Sequence, residues 1–172
     1  MGFRSLGKNV RLSAKASFYN CANISIGDNV RIDDFCILSP GKGGIVIGRH
    51  VHIGAYSSLI GAGRIIFEDF SGTSSRVSVY SSNDDYSGQW MTNPTVPAQF
   101  TQVTHDEVYV GRHVIIGAGS VILPGTILEE GVAVGALSLV TKRCESFGVY
   151  FGRPARKISE RKRALLDLEM HV

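Results

Sequence analysis

Cut every six residues, the stretch 110–142 reads VGRHVI IGAGSV ILPGTI LEEGVA VGALSL VTK. Each block opens on an aliphatic residue: Val110, Ile116, Ile122, Leu128, Val134 and Val140. The fifth place of each complete block is small or β-branched: Val114, Ser120, Thr126, Val132 and Ser138. A period of six is neither the helical repeat nor the alternation of a half-buried strand. It is an internal repeat, and repeats fix architecture before local propensities do.

The same phase extends towards the N-terminus. Leu6, Leu12, Phe18 and Ile24 open blocks, with Val10, Ala16 and Ala22 at the small inward place. A slip of two residues resets it to Ile26, Ile32 and Leu38, with Val30 and Cys36 inward. The insert SPGKGG at 39–44 interrupts, and the phase resumes at Ile47, Ile53 and Leu59. After another slip it passes through Phe67, Thr73 and Val79, and 81–107 then breaks it for longest. Such a pattern builds a solenoid: each block is a short strand and a corner, three blocks close one coil of about eighteen residues, and stacked coils bury one aliphatic column. Ile116-Gly117-Ala118-Gly119-Ser120 recurs eighteen residues on as Val134-Gly135-Ala136-Leu137-Ser138. The glycines and Asn/Asp of Gly27-Asp28-Asn29, Gly48, Gly54 and Gly111 are assigned to corners that need positive φ or tight bends. The expected fold is all-β, a parallel β-helix over 1–153 with a protruding loop at 81–107. An irregular link at 144–152 and a C-terminal helix and tail at 154–172 complete it. The helix is placed at 154–169, with Ile158, Leu165 and Leu166 on one side, although its basic start and acidic end oppose the macrodipole.

Composition narrows the function. The 172 residues suit one domain, and 44% hydrophobic against 19% charged content supports a packed core. A net charge of +3 is too weak for a nucleic-acid binder. Cys21, Cys36 and Cys144 show no zinc or CxxC spacing, which reads as reduced thiols of a cytoplasmic protein. No apolar run is long enough to span a bilayer. The basic run Arg161-Lys162-Arg163 leaves peripheral membrane contact open, against the plainer reading of a solvated helix face. Gly41-Lys42-Gly43-Gly44 lacks the spacing of a phosphate loop.

With IGAGSVILPGTI…VGALSLVTK followed by GRPARKI, the chain resembles the left-handed β-helix hexapeptide-repeat acyltransferases. The likeness is to the sugar O-/N-acetyltransferase branch, related to maltose and galactoside acetyltransferases and O-antigen modifying enzymes, and it covers nearly the whole chain. It implies the left hand of the coil, acetyl-CoA as acyl donor and a sugar acceptor, nucleotide- or lipid-linked, in surface polysaccharide synthesis. It also implies a homotrimer with active sites between subunits. Residues matching the family's CoA positions are Gly117, Ala118, Gly135 and Ala136 at corners. Thr141 and Lys142 match the adenosine end, and Arg153 and Arg156 the basic tail motif.

The family's general-base histidine would fall at Asp84, within Asn83-Asp84-Asp85-Tyr86. Two candidates for the base are therefore Asp84 itself and His105, where the loop rejoins the coil; a substrate needing little help is a third possibility. General-base assistance is worth about 10²–10⁴-fold, and a neutral amine needs it less than a sugar hydroxyl does. The departure therefore tilts the reading towards N-acetylation. Asn83 or Ser82 is the candidate for oxyanion stabilisation. Tyr86, Trp90 and His52 are assigned to the acceptor. A metal is not expected, because His50, His52 and His113 show no matching register. A catalytically degenerate scaffold is the alternative from another class.

Overall fold

The computed structural model describes residues 2–172. Short strands visit three parallel faces in turn. The first face stacks Ser5–Leu6, Ile24–Ile26, Ile45–Ile47, Ile65–Phe67, Val108–Val110 and Ile127–Leu128. The second stacks Arg11–Leu12, Arg31–Ile32, His52–Ile53, Gly72–Thr73, Ile115–Ile116, Ala133–Val134 and Gly148–Gly152. The third stacks Ser17–Phe18, Ile37–Pro40, Ser58–Gly61, Ser78–Tyr80, Val121–Ile122 and Leu139–Val140. The coils wind left-handed, against the general preference for right-handed crossovers. Three edges separate the faces: first–second, second–third and third–first.

Both inward places of the six-residue block are filled as the pattern requires. Every opening residue from Val110 to Val140 and every fifth-place residue from Val114 to Ser138 is buried. The inward hydroxyls are satisfied locally: Ser120 and Ser138 both donate to the Gly135 carbonyl, at 3.0 and 2.8 Å. The upper coils keep the eighteen-residue register, Ile116 beside Val134 and Ile122 beside Val140. Lower coils are longer, with Leu6 beside Ile26 and Ile47 beside Phe67, twenty residues on. The phase slips are therefore extra residues at the third–first edge, where the chain passes from Pro40 to Ile45 and from Gly61 to Ile65. Leu6 is 54% exposed because the first coil is covered on one side only.

One expectation is narrowed here and one corrected. Of the two corner roles, positive φ falls on Asn29 and, two places after Gly48, Gly54 and Gly111, on His50, Tyr56 and His113. The glycines are there for close approach: a Cβ on Gly117 would sit 2.5 Å from the Ala136 nitrogen of the next coil. The segment 144–169 is also not link then helix. Gly148–Gly152 is the last strand of the second face, and Ala155–Glu160 pairs with it antiparallel. Only Leu165–Glu169 is helical. The reason is the open edge of the last coil, whose unpaired N–H and C=O groups gain partners from a returning strand. The ladder of the second face thus runs beyond residue 153 to Glu160.

The short helix is tied back onto the solenoid. Glu169 pairs with Arg112, and its carboxylate accepts from His113 Nε2 at 2.7 Å. Arg161 donates to the carbonyls of His113 and Gly131, at 2.7 and 3.0 Å. Among the described residues no helix is long and apolar enough to cross a membrane.

Truncating a fully buried block opener removes packing on every side. Ile116→Ala is expected to cost about 2–5 kcal/mol, read as a lower urea midpoint with an unchanged slope.

Candidate active site

The loop 81–107 leaves the third–first edge, where Ser78–Tyr80 would otherwise turn to the next coil. Its root is a two-stranded ribbon in which Ser82 faces His105 and Asn83 faces Thr104. Ser82 Oγ accepts the Ala62 N–H at 2.7 Å and lies 2.8 Å from His105 Nδ1. His105 is thereby latched at the loop root.

Asp84 stands one residue beyond the ribbon, exposed, and borders three clefts. One of about 460 Å³ lies against Ile60, Ser82, Pro94 and Val103. One of about 680 Å³ lies against Tyr86, Trp90 and Met91. A third of about 340 Å³ reaches Gln102 and Thr104. Asp84 is the side chain common to all three. Its neighbour Asp85 is differently employed: its carboxylate accepts from Ser87 Oγ at 2.8 Å and from the Gly88 and Trp90 N–H groups. The Ser87 hydroxyl above all, with those N–H groups, holds the Asp85 carboxyl below the usual range. Asp85 shapes the turn, whereas Asp84 is left to the clefts. Tyr86, Trp90, Met91 and Phe100 are exposed, Tyr86 at 87%.

The residues matched to CoA occupy two edges. Gly117, Ala118 and Ala136 stand on the second–third edge, stacked coil on coil, with Leu137 N–H donating to the Ala118 carbonyl at 2.8 Å. Arg153 joins them, its Nε donating to the Leu137 carbonyl at 2.7 Å. Arg156 lies exposed on the returning strand. Thr141 and Lys142 stand instead on the third–first edge, following Leu139–Val140, the edge from which the loop leaves. One protomer therefore does not bring the two groups into one groove.

His52 points outward from the second face, its Nε2 2.8 Å from Asp33 Oδ2. That face lies across the prism from the loop root. His50 and His113 do share a register: their rings sandwich Phe70 on the first–second edge, with centroids 4.8 and 5.2 Å away. The rings stack rather than converge on a point. A second column, on the second–third edge, is not among the residues expected from the sequence: the Phe35 and Tyr56 rings stack at 4.9 Å and Arg76 lies over Tyr56. Its signal in the sequence is the recurring third corner place, which in these coils carries a large side chain.

The chain is 57% identical over 169 residues, 98% of its length and 88% of the relative's, to a dTDP-4-amino-4,6-dideoxy-D-glucose acyltransferase of Escherichia coli. It belongs to the hexapeptide-repeat sugar acyltransferases. No family model matches it. AntD, an N-acyltransferase from Bacillus cereus, superposes with a TM-score of 0.93 at 48% identity, over 99% of this chain and 89% of that one. A maltose O-acetyltransferase from Clostridium difficile shares the fold, with a TM-score of 0.63 at 20% identity, over 94% of this chain and 71% of that one. The chain is an enzyme, an acyltransferase, and the reading as a degenerate scaffold is set aside.

None of the cysteines belongs to this site. Burial pushes the Cys144 thiol up to about 12 and raises that of Cys36. In the folded protein at pH 8, Ellman's reagent should therefore titrate Cys21 alone, which is only half-buried, and all three thiols in urea. Rapid reaction of Cys144 in the native state would show that the last coil opens.

Proposed function

We propose that the enzyme transfers the acyl group of an acyl-CoA, acetyl-CoA being the donor expected from the sequence, to the amino group of dTDP-4-amino-4,6-dideoxyglucose. It works as a cytoplasmic homotrimer. The observation that carries this reading is the division of the site between two edges. Asp84, Thr141 and Lys142 belong to the third–first edge; Gly117, Ala118, Ala136 and Arg153 belong to the second–third edge. Rotation about a threefold axis sets one edge of a copy against the other edge of the next, so a trimer completes three grooves and a monomer none.

The solved relatives support the choice of substrates. AntD has been crystallised with dTDP and 3-hydroxybutyryl-CoA, and with dTDP-4-amino-4,6-dideoxyglucose and coenzyme A. Its variants alter one aspartate and a serine ten positions before it. In this chain that spacing occurs at Ser74–Asp84 and Ser75–Asp85. Because the Asp85 carboxylate is engaged by its own turn, Ser74 and Asp84 are the functional pair. Ser74 follows Gly72–Thr73 onto the second–third edge, in line with Gly117 and Gly135, so it too meets Asp84 between copies.

The chemistry follows from the acceptor. The neutral amine attacks the thioester carbonyl with its own lone pair. Its proton passes to the Asp84 carboxylate as the C–N bond forms; collapse of the tetrahedral intermediate breaks the C–S bond, and the Asp84 carboxyl returns the proton to the departing sulfur, releasing coenzyme A as the thiol. The Asn83 amide is the donor nearest Asp84 in sequence for the developing oxyanion. Lys142 and Arg156 supply cations for the CoA phosphates. Tyr86 and Trp90 wall the sugar. His105 braces the loop root.

Assay of acetyl-CoA with dTDP-4-amino-4,6-dideoxyglucose should release coenzyme A thiol, whereas the 4-hydroxy analogue should not. Asp84→Asn is expected to lower kcat by about 10²–10⁴-fold with KM for acetyl-CoA unchanged. His105→Ala should act mainly on stability of the loop. The opposite ranking would transfer the base to His105, and a monomer by light scattering would remove the shared groove.

A further inference from the structure

The second–third edge continues below the Ser74 level, and its corner column there differs from the one on the first–second edge. Left-handed backbone recurs on both, at Phe35, Tyr56 and Arg76 on one and at Asn29, His50, Phe70 and His113 on the other, so the conformation alone marks nothing. The partners differ. On the first–second edge Phe70 is covered on both ring faces, and His113 is capped by Glu169. On the second–third edge Phe35 and Tyr56 are stacked yet remain 46% and 52% exposed. Lys15, over Phe35, is neutralised by Asp34 at 3.1 Å. Arg76 lies 4.9 Å over the Tyr56 ring and meets no carboxylate among the described residues. Its guanidinium is thus held over the ring, exposed and without an acidic partner, and is available for a forked contact with phosphate oxygens.

Direction decides what would come here. On the proposed reading, the acyl arm runs from the Ser74 level up past Ala118 and Ala136 towards Arg153. An acceptor amine must reach the thioester from the other end, so the rest of the acceptor extends down the same edge. Successive coils are about 4.8 Å apart, roughly the width of one pyranose ring. An amine at the level of Ser74 and Asp84 therefore puts the sugar's diphosphate within about one coil of it, beside Arg76 and above Tyr56.

We infer that Arg76 binds the diphosphate of the nucleotide-sugar acceptor, and that the Phe35–Tyr56 pair holds the guanidinium and walls the nucleoside. This rests on the proposed nucleotide-sugar reaction and assigns that substrate its anchoring residues.

The test is calorimetric titration of the full-length protein with dTDP, and separately with acetyl-CoA. Arg76→Ala should weaken dTDP by roughly 10- to 100-fold, the loss expected of charge-assisted hydrogen bonds. Arg76→Lys should weaken it less, and Tyr56→Ala should weaken it more than Tyr56→Phe. His50→Ala, at the matching corner of the other edge, should leave it unchanged. Acetyl-CoA affinity and trimer mass should stay at the wild-type values throughout. Unchanged dTDP affinity in Arg76→Ala would overturn the subsite while the proposed reaction stands. Joint loss of dTDP and acetyl-CoA binding would assign Arg76 to subunit packing and also overturn it. Wild-type protein that binds no dTDP would overturn both this inference and the reaction it rests on.

Discussion

Each coil of this chain is held by the one above it. Parallel ladders on three faces satisfy the backbone, and two inward side chains per block fill the space they enclose. Neither part suffices alone. A single coil exposes its backbone groups and half of its aliphatic column, so stability belongs to the stack. The glycines Gly27 and Gly117 serve the same contact, since a Cβ at either would strike the neighbouring coil. At the C-terminal end the chain folds a strand back onto its own last ladder, and Arg112, His113 and Arg161 fasten the terminal helix and the segment leading to it.

A stack of this kind is a ruler, and its chemistry is laid out along edges. Insertions collect at the third–first edge, where two or three extra residues lengthen the lower coils and the long loop departs. The loop carries Asp84 outward on a braced ribbon. The small corners Ala118 and Ala136 lie on another edge, with Ser74 below them. On the proposed reading, placing the reacting groups on separate edges makes subunit association part of the catalytic geometry, and the exposed loop aromatics are a surface for a neighbour or a substrate.

On the proposed reaction, the aspartate in place of a histidine has a chemical rationale. A carboxylate is a weak base for a sugar hydroxyl, but an attacking amine brings its own electron pair and only has to shed a proton. The division of labour between adjacent aspartates follows from hydrogen bonding. Asp85 is saturated by Ser87, Gly88 and Trp90, whereas Asp84 faces three clefts.

The repeat from Val110 to Val140 is sufficient by itself to specify the coil, its inward residues and the position of the loop, because a period of six is a local property of the chain. The family resemblance, not the period, marks Asp84 as the departure at the expected base. The chain's last third shows the limit of such reading. Residues 155–160 look helical by composition, yet they pair as a strand, because the open ladder of the preceding coil exists only after the solenoid has formed. The latch between Ser82 and His105, the sandwich of His50, Phe70 and His113, and the exposed Arg76 over Tyr56 are equally invisible in the sequence, since each joins residues at least twenty positions apart. Spacing along the chain determines which residues are corners. Only the stacked coils decide which corners share an edge, because lengthened coils and a loop of 27 residues at 81–107 break the count between one level and the next.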